Sequence, residues 1–219
     1  MTTSSETALK RGRKLRIPGL ENFPFALFFR EFCKHPAMIG SIIPSSNRLI
    51  NRMMDRIDWQ NAKLIVEYGP GVGTFTRPIL ERLLPEATLI AIDTNRNFIR
   101  YLDHNINDPR LRLVHGSAAD LGAILATRGF DAADYIISGL PFSTLPAGVG
   151  PAIIRETVAA LRPNGAFVTY QYSSKIERLL SPHFVRMDRE FELMNIPPVH
   201  LVWSWKNAEP SADKLQQAA

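Results

Sequence analysis

The stretch that decides the fold spans residues 63–74 and reads Lys-Leu-Ile-Val-Glu-Tyr-Gly-Pro-Gly-Val-Gly-Thr. Its first half, residues 63–68, is a short apolar run with β-branched members, which is the pattern of a buried parallel strand. Its second half has glycine at alternate positions, where the lack of a Cβ lets the backbone approach a ligand closely. A strand that turns into a ligand-binding loop is therefore predicted, although a tight turn alone would also account for Gly-Pro-Gly.

The residues around these glycines restrict the kind of ligand. Thr74 occupies the place of the last glycine in the dinucleotide-binding pattern Gly-x-Gly-x-x-Gly. Glu67, at the end of the strand, would repel a pyrophosphate and attract a cationic group. The sequence therefore predicts a positively charged, nucleoside-like ligand.

Composition limits the architecture. With 219 residues, 45% of them hydrophobic and 21% charged, the chain has enough apolar material for one globular domain with a sizeable core. Cys33 is the single cysteine, so an internal disulfide and a cysteine zinc cluster are excluded, and no other metal-ligand cluster is visible. The sequence has no apolar run of about 18 residues and no signal-peptide core, so we expect a cytoplasmic chain.

Positive charge is concentrated at the N-terminal end. Residues 1–63 contain 11 Lys and Arg against 5 Asp and Glu, whereas the rest of the chain contains 15 against 16. We interpret residues 1–19 as a flexible tail whose basic side chains meet anionic lipid headgroups or phosphates, although a solvated tail is the alternative. The candidate contacts are Lys10, Arg11, Arg13, Lys14 and Arg16.

An amphipathic helix is predicted directly after this tail. Phe25, Phe28, Phe29 and Phe32 follow one another at i, i+3, i+4 and i+7, which gives one aromatic stripe. Such a stripe packs in a core or binds a membrane interface, and the neighbouring basic run supplies the second signal that interfacial binding requires. We interpret residues 20–60 as a helical extension that contacts a membrane or covers the site as a lid.

Residues 61–206 have the alternating pattern of an α/β domain, and residues 207–219 are interpreted as a flexible tail. The pattern predicts a Rossmann-like sheet of seven strands, mostly parallel with one late antiparallel strand, and helices on both faces. The predicted strands are 63–68, 88–93, 111–114, 133–137, 166–172, 184–194 and 199–205. The predicted helices are 74–84, 97–103 and 146–161, with 163–165 as a turn.

Candidate ligand-binding residues follow consecutive strands of this sheet. Glu67 and Asp93 stand at the ends of the first two strands, Asp120 lies in the loop after the third, and residues 138–142 follow the fourth. Ligands of open α/β sheets bind at the carboxyl ends of the strands. One acid in such a place is commonly a cap. Acids and glycines at the ends of four consecutive strands, however, indicate a binding site.

These residues resemble the motifs of class I S-adenosylmethionine-dependent methyltransferases, over residues 63–205. The resemblance implies that Asp93 accepts hydrogen bonds from both ribose hydroxyls and that Asp120 and Ala119 meet the adenine. It also implies that the glycine loop lies under the methionine moiety, with S-adenosylhomocysteine as the product. The implied cofactor-binding residues are Ser41, Glu67, Gly69, Gly71, Gly73, Thr74, Asp93, Thr94, Ala119, Asp120 and Ser138.

The substrate is indicated by other segments. Residues 138–142 are similar to the Asn-Leu-Pro-Tyr/Phe segment of ribosomal RNA adenine dimethylases, but the asparagine that would hold an exocyclic amine is missing. The 14 residues after Trp205 are also too few for the RNA-binding domain of that family. Together with residues 40–46 and 193–198, the chain more closely resembles the small soluble bacterial phosphatidylethanolamine N-methyltransferases, which are peripheral membrane enzymes.

This resemblance implies methylation of phosphatidylethanolamine to phosphatidylcholine at the anionic inner face of the cytoplasmic membrane, with no nucleic acid partner. An RNA adenine N6-methyltransferase is the alternative, and a catalytically silent cofactor-binding module is a third interpretation. No oligomeric state is predicted.

Methyl transfer to an amine requires that the amine be aligned with the methyl group of the cofactor and that the amine be neutral. We expect the Leu140 carbonyl to orient the amine and Tyr170, Tyr172 or His200 to assist, by proton transfer or by cation–π attraction to the product. The two tyrosines alternate along one strand face, so packing is their alternative role. The candidate catalytic residues are Ser138, Gly139, Leu140, Pro141 and Tyr172.

Overall fold

The structure, a computed structural model, describes residues 47–193 and 198–207. The basic run, the aromatic stripe, Ser41 and the two terminal tails lie outside the described residues. Within those two ranges, no helix has the length and apolar character needed to cross a bilayer.

The described chain alternates strands and helices, as predicted. The strands are β1 (Leu64–Tyr68), β2 (Thr88–Asp93), β3 (Leu111–His115), β4 (Ala133–Ser138), β5 (Leu161–Gln171), β6 (Arg186–Glu192) and β7 (Val199–Trp205). The helices are α1 (Asn47–Met54), α2 (Thr76–Arg82), α3 (Arg96–Asn105), α4 (Leu121–Ala126), α5 (Val149–Ala160) and α6 (Glu177–Leu180). Short 3-10 turns occupy Ala118–Asp120 and Ser174–Ile176.

One seven-stranded sheet organises these elements in the order β3-β2-β1-β4-β5-β7-β6. Strands β1 to β5 pair in parallel, and β7 lies antiparallel between β5 and β6. The predicted fold class is therefore confirmed. The order also brings the ends of β3, β2, β1 and β4 side by side at one edge of the sheet.

Both faces of the sheet are buried, which explains why the central strands are continuous apolar runs. All five residues of β1 are buried, with Ile65 facing the same core as α1 and α2 and with Val66 facing the core that α4 and α5 cover. The sheet is thus held between two apolar layers.

Several elements differ from the sequence-based predictions. Helix α4 was not predicted, because its six residues are too few to show a helical period. Strand β5 begins at Leu161 and includes the predicted turn 163–165, which pairs with Lys206 through backbone hydrogen bonds of Asn164 and Gly165. The preceding helix begins at Val149 rather than at residue 146, after Gly148 with a φ of 81°.

Helix α1 is fixed to the edge strand β6 by a row of ion pairs. Arg48 and Arg52 both bind Glu192, at 3.2 and 2.6 Å, and Arg52 also binds Glu190. Arg56, just beyond α1, continues the row to Glu190 and to Asp188. The row forms because residues four apart on a helix advance about 6 Å, close to the roughly 6.6 Å of two residues on a strand.

Candidate active site

The glycine loop follows β1 at the centre of the sheet edge. Gly69 donates its N–H to the Ile92 carbonyl at 2.9 Å, which ties the start of the loop to β2. Gly73 has a φ of 88°, and a Cβ there would lie 2.9 Å from Leu102 Cδ2, so a side chain would be strained and would have to displace Leu102. At Gly71, by contrast, an added Cβ would meet nothing within 4 Å. This part of the loop therefore faces open space, as a ligand cradle requires.

Glu67 lies beneath this loop and is almost fully buried, with 2% of its surface exposed. Its carboxyl accepts a hydrogen bond from the Thr76 hydroxyl at 2.7 Å. Burial raises the pKa of Glu67 to about 8, and the nearby negative charge of Asp93 raises this pKa further, against the effect of the Thr76 hydrogen bond. An ionised Glu67 is therefore costly unless a cation stands beside it.

Asp93, the last residue of β2, faces the same loop. One carboxyl oxygen accepts from Asn95 N at 2.7 Å and the other from Gly71 N at 3.3 Å. Burial raises the pKa of Asp93 to about 6, although both backbone hydrogen bonds oppose the shift. Each oxygen still has one lone pair available, so the carboxylate retains the capacity to accept two hydroxyl hydrogen bonds.

The remaining cofactor candidates lie along the same edge. Thr74 is half-buried in the glycine loop, and Thr94 is exposed just after β2, where its carbonyl lies 3.1 Å from His115 Nε2. Ala119 and Asp120 form the 3-10 turn after β3, and Ser117 caps that turn by accepting from Ala119 N at 3.1 Å. The described cofactor candidates thus converge on the ends of β1, β2, β3 and β4.

These features fit S-adenosylmethionine. The ligand combines a sulfonium and an ammonium with a ribose diol. The buried Glu67 and the half-buried Asp93 favour a cation, Asp93 has free lone pairs for a diol, and the space at Gly71 is open.

Residues 138–142, which we call the acceptor loop, follow β4 beside the glycine loop. Gly139 donates its N–H to the Tyr68 carbonyl at 2.9 Å, and the Ser138 hydroxyl accepts from Leu140 N at 3.2 Å. Ser138 has no exposed surface, so its hydroxyl shapes the loop rather than facing a substrate. Pro141 continues the loop, and its carbonyl accepts from the backbone and the hydroxyl of Thr144.

The Leu140 carbonyl is already engaged. It accepts from Phe142 N at 3.0 Å and from Gln171 Nε2 at 2.8 Å. The expectation that this carbonyl orients the amine does not fit this arrangement, because both lone pairs of the oxygen are used.

Of the two candidate tyrosines, Tyr170 lies nearer to both loops. Its ring stacks on Phe75, at the end of the glycine loop, with centroids 5.4 Å apart. Its hydroxyl would lie 3.6 Å from a Cβ at Gly139. Tyr172 lies beyond the end of β5 and is 37% exposed. Tyr170 therefore connects the cofactor side of the site with the acceptor side.

Two residues of this site were not among the sequence-based candidates. Thr76 is identified only by its hydrogen bond to Glu67, which the sequence does not show. Gln171 had a visible signal, since it is a polar residue at the carboxyl end of an apolar strand. His200 pairs with Gln171 across β5 and β7, and its ring packs on Phe191 at 4.8 Å.

The chain is similar to known proteins. A family model described as a methyltransferase domain matches residues 65–165. An ornithine lipid N-methyltransferase of Singulisphaera acidiphila is 32% identical over 176 residues, which are 80% of this chain and 92% of that protein. A ribosomal RNA small subunit methyltransferase A of Paraburkholderia xenovorans is 38% identical over 98 residues, 43% of this chain and 35% of that protein.

The fold is also similar to that of a precorrin-6y C5,15-methyltransferase of Geobacter metallireducens. The two chains share 15% identity and a TM-score of 0.57, over 73% of this chain and 89% of the other. The ornithine lipid N-methyltransferase is aligned over nearly its whole length. The chain therefore belongs to the class I S-adenosylmethionine-dependent methyltransferases.

Proposed function

We propose that this methyltransferase acts on the primary amine of a membrane lipid, with phosphatidylethanolamine and its methylated products as substrates and phosphatidylcholine as the final product. The observation that carries the proposal is the 32% identity to an ornithine lipid N-methyltransferase across 92% of that protein. Ornithine and ethanolamine headgroups both end in a primary alkyl amine. One acceptor geometry therefore serves both, and the phosphate of ethanolamine lipids is the difference that the protein must recognise.

Exposed apolar side chains beside the acceptor loop support a lipid substrate. Tyr172, Phe191 and Leu193 are 37%, 48% and 69% exposed. Phe191 and Gln171 both pair with His200, so these apolar residues lie at the same end of the sheet as the acceptor loop. Clustered exposed apolar groups near a site are typical of a surface that contacts lipid or protein.

Exposed cations lie close to this apolar group in the chain. Lys175 and Arg178 are exposed in the turn and helix that follow Tyr172. Basic side chains beside apolar ones suit an anionic bilayer surface. We therefore place the protein, as part of the proposal, on the inner face of the cytoplasmic membrane, with residues 10–32 as a second contact.

Methyl transfer to an amine requires a bound cofactor, a correctly placed amine and the neutral form of that amine. S-adenosylmethionine supplies an electrophilic methyl group on a sulfonium. Glu67 and Asp93 would hold the cationic cofactor, and the acceptor loop would place the amine. The headgroup amine is largely protonated at neutral pH, so the buried surroundings of Tyr170 would favour its neutral form. The stacked rings of Phe75 and Tyr170 would then attract the methylated cation.

RNA is the second candidate acceptor, because the ribosomal RNA methyltransferase is 38% identical over part of its length. That match covers 35% of the RNA enzyme. In the acceptor loop, a Cβ at Gly139 would lie 3.2 Å from the Gly69 carbonyl oxygen, so the space for a base-binding side chain is restricted. A flexible alkyl amine needs no such side chain.

Methyl transfer from labelled cofactor tests the proposal. The substrates are anionic vesicles with phosphatidylethanolamine, matched vesicles with ornithine lipid, and total RNA as competitor. We expect label in phosphatidylethanolamine; label in ornithine lipid alone would reassign the headgroup, and label in RNA alone would replace the function. Absence of label in all three would favour the catalytically silent module.

Vesicle flotation tests the membrane contact separately. The double substitution Phe191→Ser and Leu193→Ser should reduce flotation with anionic vesicles. Val185→Ser is the matched control, since Val185 is 84% exposed before β6, at the opposite end of that strand. Equal flotation of all three proteins would remove this surface from the proposal.

A further inference from the structure

The side chain of Gln171 is a buried clamp on the acceptor loop. Gln171 is the last residue of β5 and is 6% exposed. Its Oε1 accepts from Phe142 N at 3.2 Å, and its Nε2 donates to the Leu140 carbonyl at 2.8 Å and to Thr169 Oγ1 at 3.2 Å. Only this orientation of the amide fits. In the reverse orientation Nε2 would face the Phe142 N–H, donor against donor, and Oε1 would face the Leu140 carbonyl, acceptor against acceptor.

Other contacts hold the two ends of the acceptor loop, while Gln171 holds its middle. At the start, Gly139 N binds the Tyr68 carbonyl at 2.9 Å. At the end, the Phe142 ring packs edge-on against Phe167 with centroids 6.2 Å apart. Gln171 bridges the peptide groups on either side of Pro141. Without this amide the Leu140 carbonyl would keep only Phe142 N, and the middle of the loop could shift.

We propose that Gln171 is a positioning residue for methyl transfer, which sets the place of the acceptor amine by fixing Leu140 and Phe142. The proposal rests on the proposed amine methylation for the identity of the acceptor. A displacement of about 1 Å between reacting groups costs about a hundredfold in rate. Gln171 lies on β5, whereas the acids of the cofactor side lie on β1 and β2, so its loss affects turnover rather than cofactor binding.

Two substitutions separate positioning from simple packing. Gln171→Leu keeps the approximate size of the side chain and removes both loop hydrogen bonds. Gln171→Glu replaces the amide donor by an oxygen. A protonated glutamic acid can donate to Leu140 and accept from Phe142, whereas the ionised form has no donor. The activity of Gln171→Glu, relative to the unchanged protein, should therefore fall as pH rises.

Thr169→Val is the matched control. Thr169 is fully buried two residues before Gln171. Its substitution removes one hydrogen bond of the same amide and the 3.4 Å bond from Thr169 Oγ1 to the Ser138 carbonyl, but leaves the bonds of Gln171 to Leu140 and Phe142 in place. Its relative activity should not depend on pH.

Three measurements on the full-length protein test the proposal: steady-state transfer to phosphatidylethanolamine vesicles, cofactor binding by calorimetry, and hydrogen exchange of residues 138–144 and 69–75. For Gln171→Leu we expect a fall in kcat on the order of a hundredfold with unchanged cofactor affinity. Exchange should accelerate in 138–144 only. Unchanged kcat, or an equal loss of cofactor affinity, would overturn the proposal.

The remaining outcomes are also decisive. If Gln171→Leu does not fold, Gln171→Glu tests the proposal alone. A relative activity of Gln171→Glu that is independent of pH would contradict the role of Gln171 in holding the acceptor loop. If the unchanged protein methylates no lipid, the proposed function fails while hydrogen exchange still tests Gln171. Unchanged exchange of 138–144 in both variants would then overturn the clamp itself.

Discussion

Replacing Glu67 by glutamine should make the stability of the protein less dependent on pH. Glu67 is buried, and its pKa is raised from 4.5 to about 8, first by burial and then by the negative charge of Asp93. Glutamine has the same shape, can still accept the hydrogen bond from Thr76, and cannot ionise. The substitution therefore removes the titration and little else.

The magnitude follows from the linkage between protonation and folding. Between pH 4.5 and about 8, the unfolded chain ionises Glu67 while the folded protein keeps the proton. The contribution of the protonated group to stability is complete below pH 4.5 and is lost as pH rises, at about 1.36 kcal/mol per unit. The loss totals about 5 kcal/mol by pH 8, which is comparable to the whole stability of many domains.

Denaturant unfolding of the cofactor-free protein at a series of pH values measures this difference. Glu67→Gln and the unchanged protein should have similar free energies of unfolding near pH 4.5, and the variant should be more stable by about 5 kcal/mol near pH 8. Asp93, whose pKa is raised from 3.8 to about 6, titrates in both proteins. Glu81→Gln, an exposed change on α2, is the control. Parallel curves for Glu67→Gln and the unchanged protein would show that Glu67 is ionised in the folded state.

Three further substitutions have defined outcomes. Asp93→Ala should weaken cofactor binding by on the order of a hundredfold, since hydrogen bonds to a charged group contribute about 1.5–3 kcal/mol each; unchanged affinity in calorimetry would contradict the site. Gly73→Ala should lower the free energy of unfolding by about 1–3 kcal/mol, because its φ is 88°; an unchanged thermal midpoint would show that the loop relaxes. Arg52→Leu should lower the free energy of unfolding by about 3 kcal/mol because it removes the 2.6 Å ion pair of Glu192, which is 1% exposed, and Glu192→Gln should restore part of the loss in denaturant unfolding.

The sheet, and the convergence of the cofactor candidates at one edge of it, were predictable because their signals are local. Strand β2 has the predicted bounds, since its apolar run is followed directly by Asp93, which is the last residue of the strand. The glycine loop and the acids carry their chemistry in residue type and spacing. A strand end also fixes where its last side chain lies, so four such ends predicted one edge of the sheet.

The acceptor side depended on contacts between distant residues. Gln171 meets Leu140 across 31 positions of sequence, and nothing in either segment shows that the amide occupies that carbonyl. The row of ion pairs is similar: arginines four apart on a helix and acids two apart on a strand are both visible. Their pairing, over as many as 144 positions, is visible only once the fold places α1 beside β6.

Side chains of neighbouring strands hold both the glycine loop and the acceptor loop. Asp93, at the end of β2, binds Gly71 N of the loop that follows β1. Gln171, at the end of β5, binds the loop that follows β4. Each loop is thus fixed by a side chain of the next strand, and the pairing of Tyr68 with Ser138 sets the two loops side by side. Because Tyr170 also stacks on Phe75 and lies near Gly139, the spacing between the glycine loop and the acceptor loop depends on sheet register as well as on the loops themselves.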